Sequence, residues 1–252
     1  MPDTTLRVIP LGGLGEIGRN MMLFEYGEDI IVVDVGLMFP DETMFGIDLV
    51  IPDFSYLRAN VEKVRAVFLT HGHEDHVGAL PYFCREFSVP IYGTRLTQGL
   101  VRVKLQEHKL ATDPLREVKP GEIVSVGAFE VEFFSVAHSI PDACGLIIQT
   151  PLGTVVHTGD FKLDHTPVMN QHTDLMRLGQ VGGEGCLLLL ADSTYAEIEG
   201  HTPSEQLVGD VPFYGAFLWS PDSKRLAYLT SGEVLGVLRW NMLDVKSGSG
   251  GC

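Results

Sequence analysis

The chain has 252 residues, 45% of them apolar, enough to bury a core in one large domain or two small ones. A formal net charge of −15 argues against a protein that coats nucleic acid, whose surface would be basic, but leaves room for an enzyme that meets an anionic substrate through bound cations. The four cysteines, Cys84, Cys144, Cys186 and Cys252, form no CxxC pair, the N-terminus lacks a basic-then-apolar leader, and no apolar run is long enough to span a bilayer, so a reducing, cytoplasmic setting without disulfides or membrane is expected.

Leu6 to Ile9 reads as a short strand leading into a glycine-rich loop. Gly13-Leu14-Gly15-Glu16-Ile17-Gly18 matches GxGxxG, and Asp34 lies about 20 residues further on, where a dinucleotide fingerprint places an acidic residue. That fingerprint also needs a helix after the glycines. Here Met21 to Phe24 and Ile30 to Val33 read as two strands of a hairpin around Gly27-Glu28-Asp29, so a nicotinamide site is rejected. The glycines instead suit a close backbone approach. Asp34 ends the second strand, as a turn residue or as a group that orients a histidine. Residues 39 to 53 form a long loop of the kind that often carries function. Residues 53 to 60 read as a short helix.

Val64 to Leu69 is a buried strand by its apolar, β-branched run. It delivers Thr70-His71-Gly72-His73-Glu74-Asp75-His76. On extended backbone His71 and His73 turn to one side. Asp75 and His76 follow after the chain bends and face the same point from another direction. Imidazole nitrogen with carboxylate oxygen is a ligand set for zinc or manganese, so the stretch reads as a two-metal hydrolytic site, against the alternative of a histidine-rich surface loop.

A helix is expected over residues 77 to 87, a strand over 91 to 93, and a helix over 96 to 110. Arg102, Lys104, His108 and Lys109 concentrate charge on that last helix, as a solvated face or a phosphate contact. Strands at 122 to 126 and 129 to 136 end in His138. A second pair, 146 to 149 and 154 to 157, ends in Asp160, and a strand at 187 to 190 ends in Asp192. Each of these polar residues alone reads as a cap or turn group. Five strand ends in succession, at Asp34, the His71 cluster, His138, Asp160 and Asp192, point to a shared site.

HxHxDH at His71 to His76, with His138 and Asp160 downstream, resembles the metallo-β-lactamase superfamily. More narrowly the chain is similar to the ribonuclease J family of its β-CASP branch. The matching stretches are LGGLGEIGRN from Leu11, FPDETMFGIDLVIPDFSYL from Phe39, LTHGHEDHVGALPY from Leu69, HSIPDACG from His138, HTGDFKLDHTPV from His157 and ADSTYAE from Ala191, within residues 5 to 209. The resemblance implies an α/β fold, a four-layer αββα sandwich. It implies that His71, His73 and His138 hold one divalent ion, that Asp160 bridges, and that Asp75 and His76 hold a second. Asp75, His76 and Asp160 would then be catalytic, with Asp34 and Asp192 behind them. The ions would be zinc, with manganese or magnesium as alternatives. The implied activity is hydrolysis of RNA phosphodiesters, endonucleolytic and 5′-to-3′ exonucleolytic, by a homo-oligomer.

Two departures matter. Thr202-Pro203-Ser204-Glu205 reads as a capping box opening a helix, which in the family leads into the β-CASP domain and then the second half of the lactamase fold. From Asp210 the chain instead resembles one β-propeller blade. Phe217 to Leu229 reads as a hairpin turned by Ser220-Pro221-Asp222-Ser223, with further strands at 234 to 238 and 241 to 245 and a linker-like Ser247 to Gly251. The expected division is an incomplete metallo-β-lactamase-like domain over 1–209 and a propeller-like tail over 210–252. The second metal then lacks its distal histidine, since none of His157, His165, His172 or His201 is an obvious substitute, and ribonuclease activity is expected to be impaired. Two other functions compete: a small-molecule metallohydrolase of glyoxalase or lactonase type, and a non-catalytic binding protein.

Overall fold

The computed structural model describes residues 5–167, 170–194 and 196–200 with their side chains, and four further strands by their backbone. It divides into two compact units, one of Met1–Leu163 with Gln171–Ala196, the other of Asp164–Asn170 with Glu197–Cys252. No helix among the described residues is long and apolar enough to cross a membrane.

The first unit opens with the expected hairpin. Strands β1 (Leu6–Gly12), β2 (Met21–Tyr26) and β3 (Asp29–Val33) pair antiparallel, and β3 then pairs in parallel with β4 (Val64–Phe68), followed by β5 (Ile91–Gly93) and β6 (Leu115–Glu117). The order is β1-β2-β3-β4-β5-β6. The glycine-rich loop leads into β2, the first strand of the expected hairpin. The crossovers carry α1 (Ser55–Ala59), α2 (Glu74–Val77), α3 (Leu80–Phe83) and α4 (Arg95–Glu107). A second sheet runs β11-β10-β9-β8-β7, from β7 (Ile123–Val126), β8 (Phe129–Ser135), β9 (Cys144–Thr150), β10 (Gly153–His157) and β11 (Cys186–Leu190), with α5 (Leu175–Glu184) before its last strand.

The period of two along the strands builds the layers. Leu23, Ile30, Val32 and Val67 face one way and pack on Phe54, Leu57, Phe83, Val101 and Leu105 of the helical side. Phe24, Ile31, Val33 and Phe68 face the other way and meet Phe129, Val131, Phe133, Leu146 and Ile148 of the second sheet. Phe134, Ile147 and Val156 on the outer side of that sheet are covered by Val181 of α5. The result is helix, sheet, sheet, helix, the expected αββα sandwich. Each fully buried aliphatic or aromatic side chain here stabilises the fold by about 1.5–3 kcal/mol.

Three local expectations are corrected. Of the helix expected over 77 to 87 only α3 forms, with α2 ending at Val77, because Pro81 sits in the first turn of α3, brings no N–H, and its ring bars continuation from Val77. β6 was not foreseen, nor was α5, whose Gly179, Gly182 and Gly183 argue against a helix at about 1 kcal/mol each. Tertiary contacts hold α5: Asp174 caps it by accepting from the Arg177 amide, and Arg177 forms a bidentate pair with Glu132 of β8 at 2.8 and 2.7 Å.

In the second unit, β12 (Phe217–Trp219), β13 (Arg225–Ser231), β14 (Leu238–Asp244) and β15 (Gly250–Gly251) form an antiparallel sheet in that order. Of the two strands expected at 234–238 and 241–245, the described part, Leu238 to Asp244, is one strand whose ladder runs through Asn241, paired with Tyr228; residues 234–237 and 245 lie outside the described residues. Gly250 and Gly251, expected as linker, pair with Leu243 and Met242. The turn at 220–224, the helix expected from 204, His201 and the boundary expected at 209 lie outside the described residues.

Candidate metal centre

The parallel pairing of β3 with β4 sets Asp34 beside Thr70. Asp34 takes a left-handed backbone, φ 59°. Its Oδ1 accepts from the Thr70 amide at 2.8 Å; its Oδ2 accepts from Thr70 Oγ1 and from His76 Nδ1, both at 2.8 Å. His71 and His73 leave β4 in sequence, and His73 is the residue before α2. Asp75 and His76 lie on α2. That helix is pressed against the exit of β3: Val35 N donates to His76 O at 2.8 Å and Leu37 N to Glu74 O at 3.1 Å. Gly36 lies between them, where a Cβ would stand 1.6 Å from the Asp75 carbonyl oxygen. Only glycine permits this approach.

The second sheet supplies the rest. β8 runs out into His138, and β10 runs out through Thr158 and Gly159 into Asp160. Gly159, φ 58°, lets this exit pass close to β4, since a Cβ there would meet Thr70 Cβ at 2.9 Å. The Cys144 amide donates to the Thr70 carbonyl at 2.9 Å, tying the two sheets at the site.

The donors converge. His71 Nε2 lies 3.0 Å from His73 Nδ1, and His138 Nε2 lies 3.2 Å from the same atom. His76 Nε2 stands 3.2 Å from Asp160 Oδ1 and 3.5 Å from Asp75 Oδ2, and His138 Nε2 stands 3.7 Å from Asp160 Oδ2. Asp160 thus turns one oxygen to each group of histidines. Two sets, His71/His73/His138 and His71/His76/Asp160, have all their donor atoms within 4.8 Å. Nitrogens bound to a tetrahedral zinc at 2.0–2.1 Å stand roughly 3.3 Å apart, close to the spacings seen. The residues present therefore fit a divalent cation in donor type and spacing.

The electrostatics agree. Burial, reinforced by the neighbouring rings, holds His71 far below the usual imidazole range, so its nitrogens are free of charge. Burial also lowers His73 and His138, against opposition from Asp75 and Asp160. Burial works against a charged His76, but Asp34, Asp160 and Asp75 outweigh it and raise that ring well above its usual value. Burial likewise works to raise Asp75 and Asp160, and the His76 ring outweighs it, so both stay below the usual carboxylate range. Burial thus favours neutral rings at His71, His73 and His138, while the carboxylates around His76 favour positive charge there.

Of the residues expected at the site, His71, His73, His76, His138 and Asp160 meet directly, Asp75 stands at their margin, and Asp34 lies behind His76. Asp192 accepts from Thr194 N at 2.9 Å and Thr194 Oγ1 at 2.5 Å in its own turn, and its charge reaches His138. His157 is not a donor to the cluster but braces it, its Nδ1 accepting from Gly159 N at 3.1 Å. His172 is exposed. Lys104 of the basic helix is paired with Glu74 of the motif at 2.7 Å, which makes it a brace for the site loop.

Three residues were not foreseen. Asn20 closes the glycine-rich loop; its Nδ2 donates to Asp75 Oδ2 at 3.3 Å and lies 3.1 Å from His76 Nε2. Thr70 is the hub described above. Gln171 pins the His138 loop, donating to Val136 O at 3.0 Å and Ala143 O at 2.8 Å and accepting from Asp142 N at 3.0 Å. The GxGxxG signal did mark Asn20's loop, though for another chemistry. No periodicity marks Gln171.

Comparison with known proteins gives a family and relatives. The metallo-beta-lactamase superfamily matches residues 14–180. A Ribonuclease J of Thermus thermophilus is 50% identical over 212 residues, 81% of this chain and 37% of that protein. A Ribonuclease J of Helicobacter pylori is 48% identical over 206 residues, 81% of this chain and 30% of that protein. The chain thus spans 30% to 37% of the length of these two relatives. A solved protein of unknown function from Enterococcus faecalis shares the fold with a TM-score of 0.58 at 20% identity, over 80% of this chain and 53% of that one.

Proposed function

Since the chain belongs to the metallo-β-lactamase superfamily, we propose that it carries the metal centre of a ribonuclease of the Ribonuclease J type, hydrolysing RNA phosphodiesters. The observation that carries this reading is the meeting of five donors, His71, His73, His76, His138 and Asp160, in a chain 50% identical to a Ribonuclease J over 212 residues. His71 Nε2, His73 Nδ1 and His138 Nε2 would hold one divalent ion, zinc by ligand type, with manganese or magnesium as alternatives. His76 Nε2 and Asp75 would hold a second, with Asp160 facing both groups. Bound divalent ions supply Lewis acidity, lowering the pKa of water and offsetting charge on phosphoryl oxygens.

The chain's own side chains do the rest. Asp34 fixes His76 by taking its Nδ1 proton in a hydrogen bond, so that Nε2 points inward. Asn20 orients Asp75 through its amide. Asp160 divides its two oxygens between the two sides. The chain carries a formal net charge of −15, so attraction for a phosphate chain would be concentrated at this centre. The cysteines Cys84, Cys144 and Cys186 are free, which accords with a cytoplasmic location.

The test is metal content by elemental analysis together with hydrolysis of a 5′-monophosphorylated RNA, a thioester and a lactone. Metal-dependent RNA cleavage above turnover of the small substrates supports the proposal. Turnover of the thioester or lactone without RNA cleavage assigns a small-molecule hydrolase, and failure to bind any metal favours a non-catalytic binding protein.

A further inference from the structure

We propose that the Thr70 hydroxyl is a positioning group that fixes the tautomer of His71, keeping its proton on Nδ1 and its Nε2 lone pair turned to the metal centre. The inference rests on the reading of that centre as a cation site.

The argument is a count of protons. Asp34 and Thr70 are both buried, 1% and 0% exposed, so each contact must be satisfied within the protein. A carboxylate only accepts. Asp34 Oδ2 lies 2.8 Å from Thr70 Oγ1, so the single hydroxyl proton lies on that line. The same oxygen takes the Nδ1 proton of His76 at 2.8 Å. Thr70 Oγ1 is left with lone pairs only, and His71 Nδ1 stands 3.1 Å from it. Two lone pairs would repel there; an Nδ1–H makes the contact a hydrogen bond. His71 Nε2 is then bare, and it is the atom 3.0 Å from His73 Nδ1. One carboxylate thereby sets two rings, His76 directly and His71 through a hydroxyl.

The local packing shows why threonine serves. Its carbonyl accepts from Cys144 N, and its Cβ faces Gly159 so closely that a methyl on that glycine would lie 2.9 Å away. The backbone of Thr70 is thus tied to the second sheet while its hydroxyl stays on Asp34. Valine matches its shape and removes only the hydroxyl; serine keeps the hydroxyl.

The first experiment needs no variant. Long-range nitrogen–proton correlation spectra of the 252-residue chain, freed of metal with a chelator, report which ring nitrogen of each neutral histidine is protonated. The His71 signals are identified by their absence in His71→Gln. The expected result is Nδ1–H for His71; Nε2–H, or an average of the two tautomers, overturns the proposal. The second experiment measures zinc affinity by competition with a chelator. Thr70→Ser should bind near the wild-type level, and Thr70→Val about 10–100-fold more weakly, the usual effect of losing a group that orients a ligand. A Thr70→Val chain that binds zinc as tightly as wild type overturns the proposal. Should the wild-type chain bind no zinc, the metal reading fails, and the tautomer spectrum still decides the Thr70 contact.

Discussion

Replacing Gly36 by alanine tests whether the backbone approach behind the centre is as tight as the geometry says. The added Cβ would lie 1.6 Å from Asp75 O, 2.2 Å from Asp75 C and 2.8 Å from Asn20 N. Because all three neighbours are backbone, relief to an allowed separation of 3.0 Å requires a shift of 3.0 − 1.6 = 1.4 Å. The same residues are locked by hydrogen bonds, Asn20 N to Asp75 O and Gly36 N to Asn20 O, each 2.9 Å. Losing two such bonds costs about 1 kcal/mol each, and forcing volume into a packed site costs about 1–3 kcal/mol more. The expected destabilisation is therefore roughly 3–5 kcal/mol, a fall in thermal midpoint of roughly 6–20 °C for a domain of this size. The displacement also moves His76 away from Asp160, now 3.2 Å apart, so the second cation should bind more weakly than the first. Calorimetric melting and zinc titration read both effects. Gly99, exposed on α4 with nothing within 4 Å of its built Cβ, is the control, and Gly99→Ala should stabilise by up to about 1 kcal/mol. A Gly36→Ala chain that melts with wild type and keeps both binding events would refute the reasoning.

Other outcomes follow from the same geometry. Asp160→Ala removes the carboxylate that stands between His76 and His138; bound metal per chain, by elemental analysis after gel filtration, should fall while the circular dichroism spectrum stays unchanged. Phe133→Ala opens a cavity between the two sheets at a fully buried position and should cost about 3–5 kcal/mol in urea denaturation. Burial pushes the Cys84 thiol up to about 11 and the Cys144 thiol up to about 12. A maleimide at pH 8 should therefore label exposed Cys186 before either, as mass spectrometry of peptides would show, and equal labelling of Cys144 in the native chain would contradict its burial.

The fold was legible where burial on one or both faces writes a period into the sequence. Ile30 to Val33 is buried on both faces and reads as an unbroken apolar run, Val64 to Phe68 reads as one interrupted only by Arg65, and the hairpin at Gly27 declared itself by its turn. The misses are the elements that owe their form to distant partners. α5 holds three glycines and reads as a loop, yet Val181 fits against Phe134, Ile147 and Val156, and Arg177 grips Glu132 from another strand. β6 has three residues, two of them exposed, and pairs with β5 only because the crossover through α4 returns there.

The centre was legible for a different reason. Ligand atoms need particular side chains at the ends of strands, and HxHxDH with His138 and Asp160 states those side chains outright. What the sequence does not state is the hydrogen bonding that aims them. Thr70, Asn20 and Gln171 are ordinary polar residues until the pairing of β3 with β4 brings Asp34 to Thr70, and until the close approach at Gly36 lays Asn20 against Asp75. An Asp34 carboxylate placed one residue along β3 would face the other side of the sheet, and His76 would lose its acceptor. The donors are thus a property of the motif, while their direction is a property of strand register, set only once β3 and β4 pair.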